Sequence, residues 1–333
     1  MKRFLVLILG FVVTLAANFP IGIVEKTTNA SSDEAKSTVT YMLCGYDDAA
    51  CNTDSIVLAS YSFSDNSLSF LQIPRDTYYR DTNYSKINSI FPTQKSLGST
   101  DTEALVYLKT ALSDALGITI DAAIGYTMQT FVKLIDAIGG VDVELPSSFA
   151  VNNGQGECIL SLNAGSNHLD GEASLAFVRA RAGYTTGDLG RVDAQKIFIS
   201  SFMKMIRNDV GVTDIVKACI STSDGWTLDA KLGVLFKIIA KNRGRISNIS
   251  AKYANVPGMQ VQSAAGDWYY SVAKAPTVEL LQQLGFSRLK EFDEHNMLLN
   301  SSDESFVSIY NSQQVRARVY DDESLPLLDD RAH

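Results

Sequence analysis

The sequence lacks an excess of positive charge. Its 333 residues include 29 lysines and arginines against 37 aspartates and glutamates, which gives a formal net charge of -8 at pH 7. Proteins that bind duplex nucleic acid need a basic surface to displace counterions from the phosphates. A helix-turn-helix with a basic face is not apparent either. The sequence therefore predicts that nucleic acid is not a partner.

Cysteine is scarce as well. The chain has four cysteines, Cys44, Cys51, Cys158 and Cys219, and their spacing matches no zinc motif. Two interpretations of Cys44 stay open. It forms a disulfide with Cys51 that closes the loop between them, or it is an ordinary buried thiol in an apolar strand.

One long hydrophobic run stands at the amino terminus. Residues 4–24 are largely apolar and follow Lys2 and Arg3, and a run of this length can span a bilayer core of about 30 Å. The basic flank favours a cytoplasmic amino terminus. We expect an uncleaved single-pass membrane anchor over residues 1–24, a flexible polar stalk over 25–37, and an extracytoplasmic domain beyond it. A cleaved signal peptide is the alternative.

The rest of the chain alternates between strand and helix patterns. Apolar runs bounded by turn residues predict strands, and apolar residues at helical spacing predict helices. The strands are expected at 39–43, 55–62, 67–73 and 141–145, and the helices at 102–116, 127–138 and 191–207. This alternation is typical of a layered α/β domain, and the 46% hydrophobic content is enough for one large core.

Three arginines are expected at strand ends. Arg75 follows the strand 67–73, and Arg179 and Arg181 lie two residues apart in the apolar segment 169–181, for which we predict a strand. Residues two apart in a strand share a face, and guanidinium groups bind phosphate oxygens bidentately. The pattern predicts a polyphosphate clamp. The alternative is a solvated strand edge whose arginines form surface salt bridges.

Two aspartates bracket a short polar loop. Asp47 ends one apolar run and Asp54 opens the next. In proteins, Mg²⁺ usually lies between one or two carboxylates and the phosphates of a substrate. The two aspartates therefore predict a Mg²⁺ site that would act together with the arginine clamp.

These residues belong to a series of six short motifs. The motifs are Gly45-Tyr46-Asp47, Thr53-Asp54-Ser55, Ile73 to Thr77, Lys86-Ile87-Asn88, Ile138 to Val143, and a long one that runs from His168 to Arg191. In this order, over residues 38–290, the chain resembles the LytR-CpsA-Psr family of bacterial cell-wall glycopolymer ligases. Each motif is short, and it is their shared order that carries the resemblance.

The resemblance implies a fold and an activity. The fold is a layered α-β-α domain with a central mixed β-sheet and a hydrophobic lipid-binding pocket, here over residues 38–290. The activity is that of a Mg²⁺-dependent phosphotransferase, which takes a glycopolymer from a polyprenyl pyrophosphate carrier at the membrane and joins it to peptidoglycan through a phosphodiester. Residues 291–333 would form a tail left from an accessory domain, with disorder expected over 320–333.

The resemblance also implies roles for single residues. It makes the two aspartates the metal ligands and the three arginines the pyrophosphate clamp. Further polar site residues are Asp188, Arg191 and Gln195. An aspartate near the clamp, Asp76 or Asp188, is the candidate to orient or deprotonate the attacking hydroxyl.

The chain departs from the family pattern at two places, and other functions stay open. The loop after Asp47 is short, so Asp48 is an alternative metal ligand, and Ser89 to Thr93 replaces the small residues that usually follow Lys86-Ile87-Asn88. A prenyl pyrophosphate hydrolase would use the same clamp with water as the acceptor. A non-catalytic protein would bind the lipid carrier without turnover, and a transcriptional regulator would act inside the cell.

Overall fold

The computed structural model describes residues 38–47, 52–81, 83–153, 155–180, 188–208, 212–229, 248–292 and 317–321. The predicted anchor over 1–24, the stalk over 25–37, Asp48, Cys51 and Arg181 lie outside these residues. Within the described ranges, no helix is long and apolar enough to cross a membrane.

The described residues form thirteen strands and seven α-helices. The strands are β1 Thr38–Tyr46, β2 Thr53–Ser62, β3 Ser67–Ile73, β4 Ala122–Thr127, β5 Val141–Leu145, β6 Phe149–Asn152, β7 Cys158–Leu162, β8 Gly165–Leu169, β9 Trp226–Leu228, β10 Ser250–Asn255, β11 Gly258–Gln262, β12 Trp268–Val272 and β13 Val319–Tyr320. The helices are α1 Ile90–Ser96, α2 Asp101–Leu116, α3 Met128–Ala137, α4 Gly171–Arg179, α5 Asp188–Asn208, α6 Val212–Ser221 and α7 Lys274–Gln283.

Seven strands build one mixed sheet in the order β13-β10-β3-β2-β1-β4-β9. The pairs β1–β4 and β3–β10 are parallel, and the other neighbours are antiparallel. The remaining strands pair as three two-stranded ladders, β5–β8, β6–β7 and β11–β12. The predicted central mixed sheet is confirmed.

Both faces of the sheet are covered by helices. The first face carries alternate residues such as Leu43, Val57 and Phe70, and it packs against α3, α4, α5 and α6. The second face carries Met42 and Leu58 and packs against α1, α2 and α7. Successive strand residues point to opposite faces, so two apolar faces need two covering layers. The predicted α-β-α layering is confirmed.

The predicted strands and helices other than the segment at 169–181 are confirmed, with their ends moved by at most three residues. The capping residues of α2 show why the ends of this helix could be predicted from the sequence. The Thr100 hydroxyl accepts a hydrogen bond from the Glu103 amide, and the Glu103 carboxylate accepts one from the Thr100 amide. These hydrogen bonds lower the pKa of Glu103. Gly117 ends the helix in the left-handed conformation that glycine tolerates best.

The strand predicted over 169–181 is wrong. Its middle is the helix α4, in which Asp170 is the N-cap and accepts a hydrogen bond from the Ala173 amide at 2.8 Å. Its buried residues are Gly171, Ser174, Leu175, Phe177 and Val178, and separations of three and four residues among them are helical spacing. Arg179 is therefore the last residue of a helix, and the argument that it shares a strand face with Arg181 does not hold.

The carboxyl-terminal tail is partly ordered. Val319 and Tyr320 pair with Ala254 and Tyr253 of β10, so β13 extends the central sheet. The disorder expected from Tyr320 onward is wrong at Tyr320 itself, and residues 322–333 lie outside the described ranges. A short strand added to β10 covers backbone groups that an edge strand would otherwise expose.

The cysteines differ in their surroundings. Cys44 is buried in β1, Cys158 is exposed, and burial raises the pKa of the Cys219 thiol to about 12. The disulfide between Cys44 and Cys51 stays a prediction, because Cys51 is not among the described residues.

The glycines that end α3 offer a matched test of the fold. Gly139 and Gly140 have φ of 86° and 87°, but a Cβ on Gly139 would meet nothing within 4 Å, whereas one on Gly140 would lie 2.5 Å from the His168 ring and 2.9 Å from the Leu169 carbonyl oxygen. We expect Gly139→Ala to lower the free energy of unfolding by about 1–2 kcal/mol from backbone strain alone. Gly140→Ala should lower it clearly more, because the new Cβ would also clash. Urea unfolding of both variants measures the difference, and equal losses would contradict the close approach.

Candidate functional site

A β-bulge sets the position of Asp54. In the β1–β2 ladder Gly45 pairs with Ser55 and Tyr46 pairs with Thr53, so Asp54 is an extra residue without a partner on β1. Bulges often occur beside active sites, where they redirect a side chain. Asp47 follows β1 directly, and its amide donates to the Asn52 carbonyl at 3.1 Å. The two aspartates thus flank one short loop at one end of the sheet.

Neighbouring elements hold this end of the β1–β2 pair. The Thr53 hydroxyl donates to the Asn88 carbonyl at 3.1 Å, so the last residue of the motif Lys86-Ile87-Asn88 supports β2. The Tyr46 ring stacks on Phe91 with ring centroids 4.8 Å apart. Tyr46 also shares a 2.5 Å hydrogen bond with the Thr227 hydroxyl. These contacts explain why several of the short motifs meet here.

Arg75 lies in a tight turn after β3. The Thr77 amide and hydroxyl both donate to the Pro74 carbonyl, at 3.0 and 2.6 Å. Asp76 lies between two cations, since its carboxylate accepts from Arg75 Nε at 3.3 Å and from Lys86 Nζ at 3.2 Å. The carboxylate therefore orients Arg75. Its two ion pairs argue against Asp76 as a general base, because both oxygens already face a cation.

Lys86 is a cation of the site that our sequence interpretation did not assign. Besides Asp76, it lies over the Tyr269 ring, 5.0 Å from the centroid. The motif Lys86-Ile87-Asn88 was recognised in the sequence, but the pairing of Lys86 with a residue ten positions earlier depends on the turn at 74–77. Only the folded chain shows it.

Gln195 ties three elements together. It is 2% exposed, its Oε1 accepts from Gln72 Nε2 at 2.6 Å, and its Nε2 donates to the Val178 carbonyl at 3.1 Å. Gln72 is on β3, three residues before Arg75, and Val178 directly precedes Arg179. The bridge from β3 through α5 to α4 therefore joins a residue three positions before Arg75 to the residue directly before Arg179. The clamp itself stays a prediction.

Arg179 is exposed, and it forms no salt bridge with any residue that the structure describes. The choice between a phosphate clamp and a surface salt-bridge pair stays open at this position. Asp188 begins α5 and Arg191 lies in its first turn, where the helix dipole favours anions. Their side chains, and that of Asp54, are outside what the structure describes, so their predicted roles stay predictions.

At this end of the first face, the structure shows three buried oxygen atoms that the sequence did not predict. Gln72 Oε1, Asn255 Oδ1 and Ser55 Oγ form no hydrogen bond with the described residues. Gln72 lies directly opposite Asn255 in the parallel β3–β10 ladder. Buried acceptors normally find a donor, so a bound water or ligand is expected to supply one. Polar residues in otherwise apolar strands were the signal that could have found them.

The donor set fits a hard cation with few protein ligands. In the described residues, no group of three or more His, Cys, Asp or Glu could hold a metal ion. Mg²⁺ needs only one or two carboxylates, because waters and substrate phosphates complete its oxygen shell. Asp47 and Asp54 would supply that number of carboxylates, and the metal site stays a prediction.

The apolar side chains of the two faces are separated by the sheet. Leu105, Leu108 and Leu112 of α2 lie on the second face, on the opposite side of the sheet from Gln195. The first face is closed by large aromatic residues that are at most 1% exposed, among them Phe70, Phe131, Phe177, Phe198 and Tyr253. The expected lipid-binding pocket stays a prediction for this face.

Comparison with known proteins agrees with the motifs. The model of the LytR_cpsA_psr family matches residues 17–285. The chain belongs to this family. As a LytR_cpsA_psr protein it is 28% identical over 235 residues to the cell wall biosynthesis protein LcpA of Corynebacterium glutamicum, an alignment that covers 60% of this chain and 44% of that relative. The chain thus spans less than half of the length of LcpA.

Two further relatives are covered more fully. The polyisoprenyl-teichoic acid–peptidoglycan teichoic acid transferase TagU of Oceanobacillus iheyensis is 25% identical over 245 residues, which is 72% of each protein. The crystal structure of protein gbs0355 from Streptococcus agalactiae superposes with a TM-score of 0.65 at 18% identity, over 79% of this chain and 93% of that one. At this identity the superposition shows that the fold is shared.

The Gln195 bridge can be tested by unfolding. Gln195→Ala leaves the Gln72 amide N–H and the Val178 carbonyl buried without their partner, and we expect the free energy of unfolding to fall by about 1–3 kcal/mol. Lys204→Ala, at an exposed position of the same helix, is the control and should change it by less than about 0.5 kcal/mol. Equal effects of the two variants in urea titrations would show that the bridge does not stabilise the fold.

Proposed function

We propose that this chain is a membrane-anchored phosphotransferase that moves a glycopolymer from a polyprenyl pyrophosphate carrier to peptidoglycan. The names of the relatives LcpA and TagU support glycopolymer transfer to the cell wall. The observation that supports the proposal is the Gln72–Gln195–Val178 bridge, whose ends lie three residues before Arg75 and directly before Arg179, while the bulged Asp54 is at the same end of the sheet as Gln72. Carboxylates and guanidinium groups together would suit a metal-bound pyrophosphate.

The proposed reaction is an in-line displacement at phosphorus. A hydroxyl of the peptidoglycan acceptor forms the new P–O bond, the P–O–P bond of the carrier breaks, and polyprenyl phosphate leaves with the electron pair. Asp47 and Asp54 would hold Mg²⁺, which supplies positive charge at the phosphate oxygens when it is bound. Arg75, Arg179 and Arg181 bind the remaining oxygens, with Asp76 orienting Arg75.

The proton of the attacking hydroxyl needs an acceptor. Asp76 is engaged by Arg75 and Lys86, so Asp188 is the candidate base in this scheme. Arg191 contributes a further positive charge at the start of α5, and Gln195 keeps α4 and α5 in place. The anchor over 1–24 would keep the domain outside the cell membrane and close to its lipid-linked substrate.

Product analysis tests the proposal. Residues 38–333 incubated with a lipid-linked oligosaccharide, peptidoglycan oligomers and Mg²⁺ should yield a phosphodiester-linked product by mass spectrometry. Asp54→Asn should lose the Mg²⁺-dependent product, whereas Asp65→Asn, in the β2–β3 turn at the opposite end of the sheet, should keep it. Release of sugar phosphate alone would identify a hydrolase instead, and binding without any product would identify a non-catalytic carrier protein.

The geometry of the clamp is tested by conservative substitutions. Arg179→Lys with Arg181→Lys keeps both charges but removes the planar guanidinium forks, so transfer should fall by about tenfold or more with little change in thermal stability. Arg288→Lys is the matched control, because Arg288 lies beside Ser287, which contacts Thr38 at the far end of β1. Normal turnover in the folded double variant would refute the clamp.

A further inference from the structure

An aromatic hairpin is attached to the turn that carries Arg75. The β11–β12 hairpin is joined to this turn by backbone hydrogen bonds, from the Tyr270 amide to the Asp76 carbonyl at 2.8 Å and from the Tyr78 amide to the Tyr270 carbonyl at 2.9 Å. The Tyr78 and Tyr269 rings meet edge to face, with centroids 5.6 Å apart. The hairpin is therefore a rigid extension of the proposed phosphate site.

The outer end of this hairpin exposes a tryptophan between amide side chains. Trp268 is 55% exposed, it pairs across the ladder with Gln262, and the exposed Gln260 lies on the same hairpin face, two pairs further along. The exposed indole offers an aromatic face, and a ligand that packs on it removes apolar surface from water. Trp268 is two residues from Tyr270, which is about 7 Å along the strand.

The hairpin is nearly free of charge. Over residues 258–272, Asp267 is the only charged residue and there is no lysine or arginine. An anionic polymer or an anionic lipid surface would need basic residues here. An uncharged sugar ring does not, because its C–H face packs on an aromatic ring while its hydroxyl and acetamido groups pair with amides, which both donate and accept.

We infer that Trp268, with Gln260 and Gln262, binds uncharged N-acetylhexosamine rings of the acceptor glycan strand beside the phosphate site. The inference rests on the proposed function, since it assigns the acceptor side of that reaction. Trp268 lies two strand residues from Tyr270, whose amide donates to the carbonyl of Asp76, the residue that orients Arg75. The hairpin thus guides the acceptor hydroxyl toward the phosphorus.

Tryptophan fluorescence gives a direct test. The chain has two tryptophans, so Trp226→Phe leaves Trp268 as the only one. Adding the β-1,4-linked N-acetylglucosamine tetrasaccharide should change the Trp268 emission saturably. By calorimetry, Trp268→Ala should weaken binding by about tenfold or more, as removal of an aromatic anchor does. Tyr107→Ala, which removes an aromatic side chain of similar exposure on α2, should leave the affinity unchanged.

Three results of the binding measurements would overturn the inference. They are no binding of the tetrasaccharide, equal affinities of the Trp268→Ala and Tyr107→Ala variants, and an emission change with anionic phospholipid vesicles but not with the sugar. In the transfer assay, Trp268→Ala should raise the KM for peptidoglycan oligomers and leave the KM for the lipid-linked donor unchanged. A changed donor KM alone would contradict the inference and leave the proposed function standing.

The double arginine variant distinguishes failure of the glycan site from failure of the proposed phosphate clamp. The double variant Arg179→Lys with Arg181→Lys should lose transfer yet bind the tetrasaccharide normally. If that variant keeps transfer, the proposed clamp fails while the glycan site on the hairpin stands. If it loses sugar binding as well, the glycan does not bind at the hairpin.

Discussion

The hydrogen-bonded chain from Gln72 through Gln195 to Val178 is the interaction on which the site depends. Buried amides are costly without partners, so Gln72 and Gln195 pair with each other rather than with water. Their pairing fixes α5 over the end of β3, and the Val178 carbonyl fixes the end of α4 against α5. One polar contact in an apolar face therefore sets the relative positions of a strand end and two helices.

The same end of the sheet keeps unsatisfied polar groups. Gln72 Oε1, Asn255 Oδ1 and Ser55 Oγ are acceptors without donors among the described residues, and Asp76 is surrounded by cations. A region with both fixed cations and acceptors that lack donors differs from a packed core, where polar groups satisfy one another. Consistency between local and global structure is typically relaxed at functional sites. The bulge at Asp54 is a second local irregularity at the same place.

The short motifs divide into those with proposed chemical roles and those that shape the chain. The glycines at 139 and 140 end α3 with positive φ, and Asp170 caps α4. His168 lies across from Asp142 in the β5–β8 ladder, with a 2.7 Å contact between Nδ1 and Oδ1. These residues build the fold around the first face. The motifs at Asp54 and Arg75 instead lie at one end of the sheet, where Gln195, which lies outside the motifs, contacts Gln72.

Local sequence patterns determined many of the strands and helices of this protein. Alternating apolar residues identified β1 to β3, the glycine at 117 and the cap at Thr100 mark the ends of α2, and the order of motifs identified the family. Those signals arise within a few residues of each other. The strand predicted over 169–181 was wrong, because a short apolar run fits a strand or a buried helix equally well. Asp170 caps the amino terminus of the helix that forms there. Asp76 between Arg75 and Lys86, the bulge at Asp54 and the bridge at Gln195 came only from tertiary structure, since each joins residues whose closeness depends on how the strands and helices pack.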